Sequence, residues 1–150
     1  MNLKNNKGVT LIVLTITIIV MLIIVGITIY GGTKLIQNAR VEDVKTNMLL
    51  VQAEVKNYVE QAKFERKKIE DMINDGITVD GVTLKITEAR EIQGEMFYKI
   101  VTPMNQLKLG KLDANNYLVL IKIDDVNVDV YFEPGISDGN GTTYHLLSEM

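Results

Sequence analysis

Asp138, Asn140 and Thr142 are the residues whose types and spacing most invite chemistry. They occupy alternate positions of Ser137-Asp138-Gly139-Asn140-Gly141-Thr142. Side-chain oxygens spaced by two are how a loop converges ligands on calcium. The same segment also reads as a glycine-rich surface turn, because Asp and Asn tolerate the left-handed region. The extra acids and distal Glu of an EF-hand are missing, and both readings stay open. His145 is the only histidine, and a lone imidazole is usually structural or solvated. Arg66-Lys67-Lys68 could meet a phosphate backbone. Glu65, Glu70 and Asp71 flank it, so a solvated helix end is expected and nucleic acid is not an expected partner. With no cysteine in the chain, a disulfide framework, a Cys-based zinc site, a thiol nucleophile and a lipidated Cys are all excluded. There are 19 Asp and Glu residues, but no spacing pairs two of them for acid/base work. No G-x-S-x-G, Walker loop or H-E-x-x-H occurs. An enzyme is not expected, and calcium is the only candidate cofactor.

The elements that would carry these residues fall into two parts. The net charge of −3 over 150 residues hides an uneven distribution. Lys4 and Lys7 are the only charged side chains before Lys34. Val9 to Tyr30 is an uncharged, β-branched apolar run. As a helix it spans about 33 Å, against about 30 Å of hydrocarbon in a bilayer. It is too long for a strand, and too long for the apolar region of a secretory signal peptide, with no clean small-x-small site at its end. A retained membrane helix is the expectation. Basic residues lie on both sides of it, Lys4 and Lys7 before and Lys34, Arg40 and Lys45 after, so the positive-inside rule is balanced.

The junction Lys7-Gly8-Val9-Thr10-Leu11-Ile12 resembles the class III signal of type IV prepilins and pseudopilins. In that family a basic leader ends in Gly and a membrane peptidase cuts after it. The resemblance implies a leader of residues 1–8, cleavage between Gly8 and Val9, and Val9 as the N-methylated first residue of the mature chain. Thr10, Leu11 and Ile12 match the family's Thr-Leu-Ile run. Two positions depart from the pattern. The family's first mature residue is usually Phe and its fifth usually Glu, where this chain has Val9 and Val13. In the family that Glu pairs with the N-terminal amine of a neighbouring subunit and helps set register, since a charge in lipid is costly. Val13 cannot do so, which points toward a minor subunit. Some secretion pseudopilins bind calcium in their C-terminal sheet region, so Asp138, Asn140 and Thr142 have a precedent there. The specific motif covers only the first dozen residues.

Beyond the apolar run, Val41, Val44, Met48, Val51, Val55, Tyr58 and Ala62 recur at spacings of three and four, the stripe of an amphipathic helix. Residues 31–75 are expected to continue the 9–30 helix, softened at Gly31-Gly32, as one helix to about Met72, with Asp75-Gly76 as its stop. In the membrane part, Thr10, Thr15, Thr17 and Thr28 can bond back to carbonyls one turn earlier; Thr10 and Thr17 could alternatively line a helix contact. From residue 76 to 150 the period becomes two. Ile77 to Ile86 reads as a hairpin about Asp80-Gly81. Met96 to Val101 is a third strand. Tyr117 to Ile123 is a central strand, and Asp124-Asp125 a turn. Val126 to Phe132 is half-buried and closed by Pro134-Gly135, and Thr142 to Leu147 is a short last strand. Asn105 to Asn116 is a loop pinned by Leu107, Leu109 and Leu112.

The expected fold is α+β, a long N-terminal helix packed through its amphipathic half on a small antiparallel sheet of four to six strands. The expected function is a structural subunit of a type IV pilus-like filament. The resemblance implies other pilin subunits, a prepilin peptidase and an assembly ATPase with its platform as partners. It also implies a single-pass cytoplasmic membrane location with an extracytoplasmic domain before assembly at the cell surface. The alternative is an uncleaved signal-anchored membrane protein with an extracytoplasmic sensor or binding domain.

Overall fold

The computed structural model describes residues 6–112 and 119–150. The chain divides into two compact units, Met1–Ala39 and Arg40–Met150. One helix, α1 (Asn6–Phe64), contributes to both.

In the second unit α1 presents the expected stripe. Met48, Val51, Val55, Tyr58 and Ala62 are buried, and Val44 packs against the core they form. Burial pushes the Tyr58 hydroxyl's pKa up, with Glu54 and Asp80 adding to it. The stripe is matched by the inner face of the sheet, Ile86, Ile100, Val119, Ile121, Ile123, Val128, Val130 and Phe132. Apolar area removed from water is worth about 25 cal/mol per Å², so this contact is what holds the unit together.

The helix stops at Phe64, earlier than the expected Met72. Arg66 adopts φ 57°. The Lys67 amide reaches back to the Ala62 carbonyl at 2.9 Å and the Arg66 amide to that of Lys63 at 3.0 Å. This is a Schellman closure made without glycine. A second short helix, α2 (Ile69–Asn74), follows. The Asp71 carboxylate accepts the Lys68 amide at 2.7 Å and caps it. Asp75-Gly76 is the stop for α2. At Gly76, φ is 78° and a Cβ would lie 2.6 Å from Thr83 Cγ2, so only glycine fits.

Seven strands follow among the described residues, more than the sequence suggests. β1 (Ile77–Val79) and β2 (Val82–Leu84) form their own two-stranded sheet. Positive φ at both Asp80 and Gly81 gives the expected type I′ turn. Ile86 belongs not to this hairpin but to β3 (Ile86–Ile92). β3 pairs with β4 (Glu95–Ile100) through a second such turn at Gln93-Gly94. β5 (Val119–Asp124), β6 (Asn127–Ser137) and β7 (Thr143–Leu146) complete a five-stranded antiparallel sheet in the order β3-β4-β5-β6-β7. β5 is central, as its apolar run implied. Asp124 still pairs with Asn127, so the turn sits one residue later, at Asp125-Val126.

Pro134-Gly135 does not end β6. The register breaks between Tyr131 and Ile136, and the ladder to β7 resumes at Ile136 and Ser137. A proline at such an irregularity removes no ladder bond. Leu107, Leu109 and Leu112 are buried, pinning the connection before β5 as expected. Residues 113–118, which include the rest of that loop and the Tyr117 start of the expected strand, lie outside the described residues.

Candidate membrane helix and the loop between β6 and β7

Gly8 and Val9 fall in the first turns of α1; the preceding leader residues 1–5 lie outside the described part. Thr10, Leu11, Ile12 and Val13 are all exposed. The exposure continues around every side of the helix. From Leu11 to Ile29 the large apolar side chains range from 47% exposed at Val20 to 69% at Ile27. The segment is long and apolar enough to cross a membrane, with mean hydropathy 3.1 and none of it buried. A helix apolar all round needs an apolar surrounding, and among the described residues of this unit no side chain supplies one.

The polar atoms of this segment are satisfied locally. Thr15 Oγ1 donates to the Leu11 carbonyl at 2.6 Å, Thr17 to that of Val13 at 2.7 Å and Thr28 to that of Ile24 at 2.7 Å. These hydroxyls can therefore enter hydrocarbon without a partner. Thr17 and the Val13 carbonyl are thus already bonded to each other. Gly31 and Gly32 are helical, and a Cβ at either would meet nothing within 4 Å.

The Asp138 loop is built by its own carboxylate. Asp138 Oδ1 accepts the backbone amides of Asn140 at 2.7 Å and Thr142 at 3.1 Å, while the Asp138 amide donates to the Thr142 carbonyl at 3.0 Å. The Asn140 backbone amide first, then the Thr142 amide and the side chains of Asn140 and Thr142, hold the Asp138 carboxyl below the usual carboxylate range. Asp138 is thereby committed to closing a turn, in the manner of an Asx motif. Among the described residues no three His, Asp or Glu side chains gather as a metal group would require.

The other singled-out residues have structural employment. His145 stacks on Tyr131 with ring centroids 5.4 Å apart, and its Nδ1 lies 3.2 Å from the Phe132 carbonyl. The imidazole lies over Gly135, where a Cβ would come within 2.6 Å of it. Lys67 pairs with Glu65 at 2.8 Å, which lowers the Glu65 carboxyl pKa and raises that of the lysine. Lys63 pairs with Asp125 at 2.8 Å.

The sequence gives no warning of what lies on the outer face of the sheet. Phe97 meets Tyr131 edge-on at 5.6 Å, Arg90 lies over the same Tyr131 ring at 5.7 Å and pairs with Glu133 at 2.9 Å. Beside them is a cavity of about 380 Å³ lined in part by Arg90, Lys99, Val101, Met104 and Leu120. These residues come from β3, β4, β5, β6 and the connection that follows β4, and the register of the sheet brings the strand residues together.

No family model matches the chain, and neither a curated protein nor a solved structure matches it.

Proposed function

We propose that this chain is a pilin-like structural subunit of a membrane-borne filament, of the minor kind. The observation that carries the reading is the contrast along α1. Its first part offers apolar side chains on every side, and its later part buries one stripe on a small antiparallel sheet. A helix of this kind satisfies its own backbone equally in lipid and in a bundle of like helices. It can thus wait in the membrane and later move into a filament core. The junction at Gly8 and Val9 supplies the processing step, with a prepilin peptidase as the partner that cuts there. An assembly ATPase with its platform and other pilins complete the machinery. The chain's own contribution is binding and packing, not catalysis.

Val13 favours a second reading. It places an apolar side chain, 58% exposed, where the family has its register-setting Glu. A signal-anchored protein that never polymerises needs no such charge. The experiment that separates the two is the intact mass of the protein from its native membrane, beside that of a Gly8→Asp variant. Loss of residues 1–8 in the parent and their retention in the variant support the filament subunit. Full-length mass in both supports the anchored protein.

A further inference from the structure

Asn140-Gly141 is the only Asn-Gly step in the chain, and the turn between β6 and β7 treats its backbone unusually. The amide before Gly141, that of Asn140, and the amide after it, that of Thr142, both donate to Asp138 Oδ1. Gly139 donates its own amide to Ser137 Oγ at 3.2 Å. The Gly141 amide between them has no acceptor among the described residues. Asn140 and Gly141 are both exposed, and a Cβ on Gly141 would meet nothing within 4 Å, so the step is open to solvent. At Asp75-Gly76, by contrast, the glycine amide is held by the Asp71 carbonyl at 3.0 Å. At Asp80-Gly81 the preceding side chain is a carboxylate, which is a poor electrophile when ionised.

We propose that Asn140 is a self-modification site, converted to an acid by its own backbone without an enzyme. The nucleophile is the Gly141 amide nitrogen and the electrophile is Asn140 Cγ. Solvent base removes the amide proton, and the nitrogen's electron pair forms the N–Cγ bond. The Cγ–Nδ2 bond breaks, and Nδ2 leaves with a proton as ammonia. One water then opens the five-membered imide at either of its two carbonyls. The residue left at 140 is Asp, or isoaspartate with the main chain rerouted through the former side chain. Water is the only co-reactant, and nothing is oxidised or reduced. Either product adds a carboxylate beside Asp138. The isoaspartyl product also inserts a methylene between the nitrogens of residues 140 and 141. The bond from the residue-140 amide to Asp138 precedes that insertion and survives it. The bond from the Thr142 amide spans the insertion and is lost.

The test uses the full chain, folded in detergent micelles and incubated in heavy-oxygen water at mildly alkaline pH. Trypsin then releases residues 123–150 as one peptide, which carries both Asn127 and Asn140. The expected result is heavy oxygen at residue 140 while Asn127 keeps its amide, at a rate no slower than in the free peptide. Amide exchange then rises at Thr142 and stays unchanged at residue 140 in the isoaspartyl form. An Asn140→Gln variant, whose longer side chain closes a ring poorly, retains its amide. Protection of Asn140 in the folded chain over a period that converts the free peptide would overturn the proposal. So would conversion of Asn127 at an equal rate.

Discussion

The two parts of α1 share one backbone geometry and differ in what surrounds them. Downstream of Arg40, the stripe of apolar residues is buried, with Met48, Val51 and Val55 wholly inaccessible, and only Leu49, Leu50 and Phe64 among the large apolar side chains of this part are exposed. Upstream of Ala39, apolar residues occupy every side and are about half exposed or more from Leu11 to Ile29. The later part finds its solvent substitute within the chain. The earlier part finds none among the described residues of its own unit, and it is long and apolar enough to cross a membrane. Periodicity therefore says more than mean hydropathy: a stripe predicts a partner in the same fold, and its absence predicts a partner elsewhere.

The largest effect follows from exchanging side chains between the two environments. Ile121 is wholly buried at the centre of the sheet. Ile121→Ala removes three carbons from a packed site and should cost about 2–5 kcal/mol of domain stability. Ile19→Ala, at a residue 51% exposed on the early helix, should leave the domain's denaturation midpoint where it was. Chemical denaturation of both variants in the same detergent measures the difference. Equal destabilisation would dissolve the distinction between the two parts.

The complementary change strikes the early part alone. Ile19→Lys places a charge near the middle of the apolar stretch, at a cost of about 2.5–3.5 kcal/mol to insertion. Membrane fractionation should show a smaller inserted share, while the melting of the second unit stays at the parental value. A shift in that melt would mean that the early helix also supports the domain.

What was legible in the sequence follows the same division. The apolar run, the Val41-to-Ala62 stripe, the Asp80-Gly81 turn and the central place of β5 could be read because each rests on local pattern. The end of α1 could not. It depends on Arg66 entering the left-handed region with neither Gly nor Pro to announce it. β3 was hidden because it is an edge strand: Thr87 to Glu91 are exposed and mostly polar, so no alternation marks them. The full length of β6 is not legible, since Pro134 reads as a terminator unless the register break around it is known. At the loop, the alternate spacing of Asp138, Asn140 and Thr142 is legible in the sequence. Their hydrogen-bond roles were out of reach, because whether Asp138 faces a ligand or its own backbone is a matter of φ and ψ.

The Arg66 closure gives a smaller, stabilising prediction within the later part of α1. A non-glycine residue in the left-handed region costs roughly 1–2 kcal/mol, and glycine removes most of that while keeping both closing hydrogen bonds. Arg66→Gly should therefore raise domain stability by about 1 kcal/mol, offset in part by the freer unfolded chain. A loss of stability on denaturation would show that the Arg66 side chain, and not its backbone, matters at the end of α1.

The smallest effect concerns acid, and it separates the exposed turn from the buried core. The Asp138 carboxyl lies below its ordinary value of 3.8 because it accepts hydrogen bonds from Asn140 and Thr142, from the Asn140 backbone amide first. A depressed folded value means that the turn is stabilised by the ionised form. That contribution is complete above the ordinary carboxylate value and disappears as pH falls through the lower folded one. Amide exchange at Asn140 and Thr142 should therefore rise in that acid window beyond the intrinsic trend, while Ile121 and Val130 in the sheet centre keep their protection. Asp138→Asn retains a side-chain carbonyl that can accept but carries no charge, so its exchange at these two amides should be higher at neutral pH and lose the acid step. Persistence of the step in Asp138→Asn would assign it to another carboxylate, with Glu149, which accepts the His145 and Leu146 amides at 3.4 and 3.3 Å, as the next group to change.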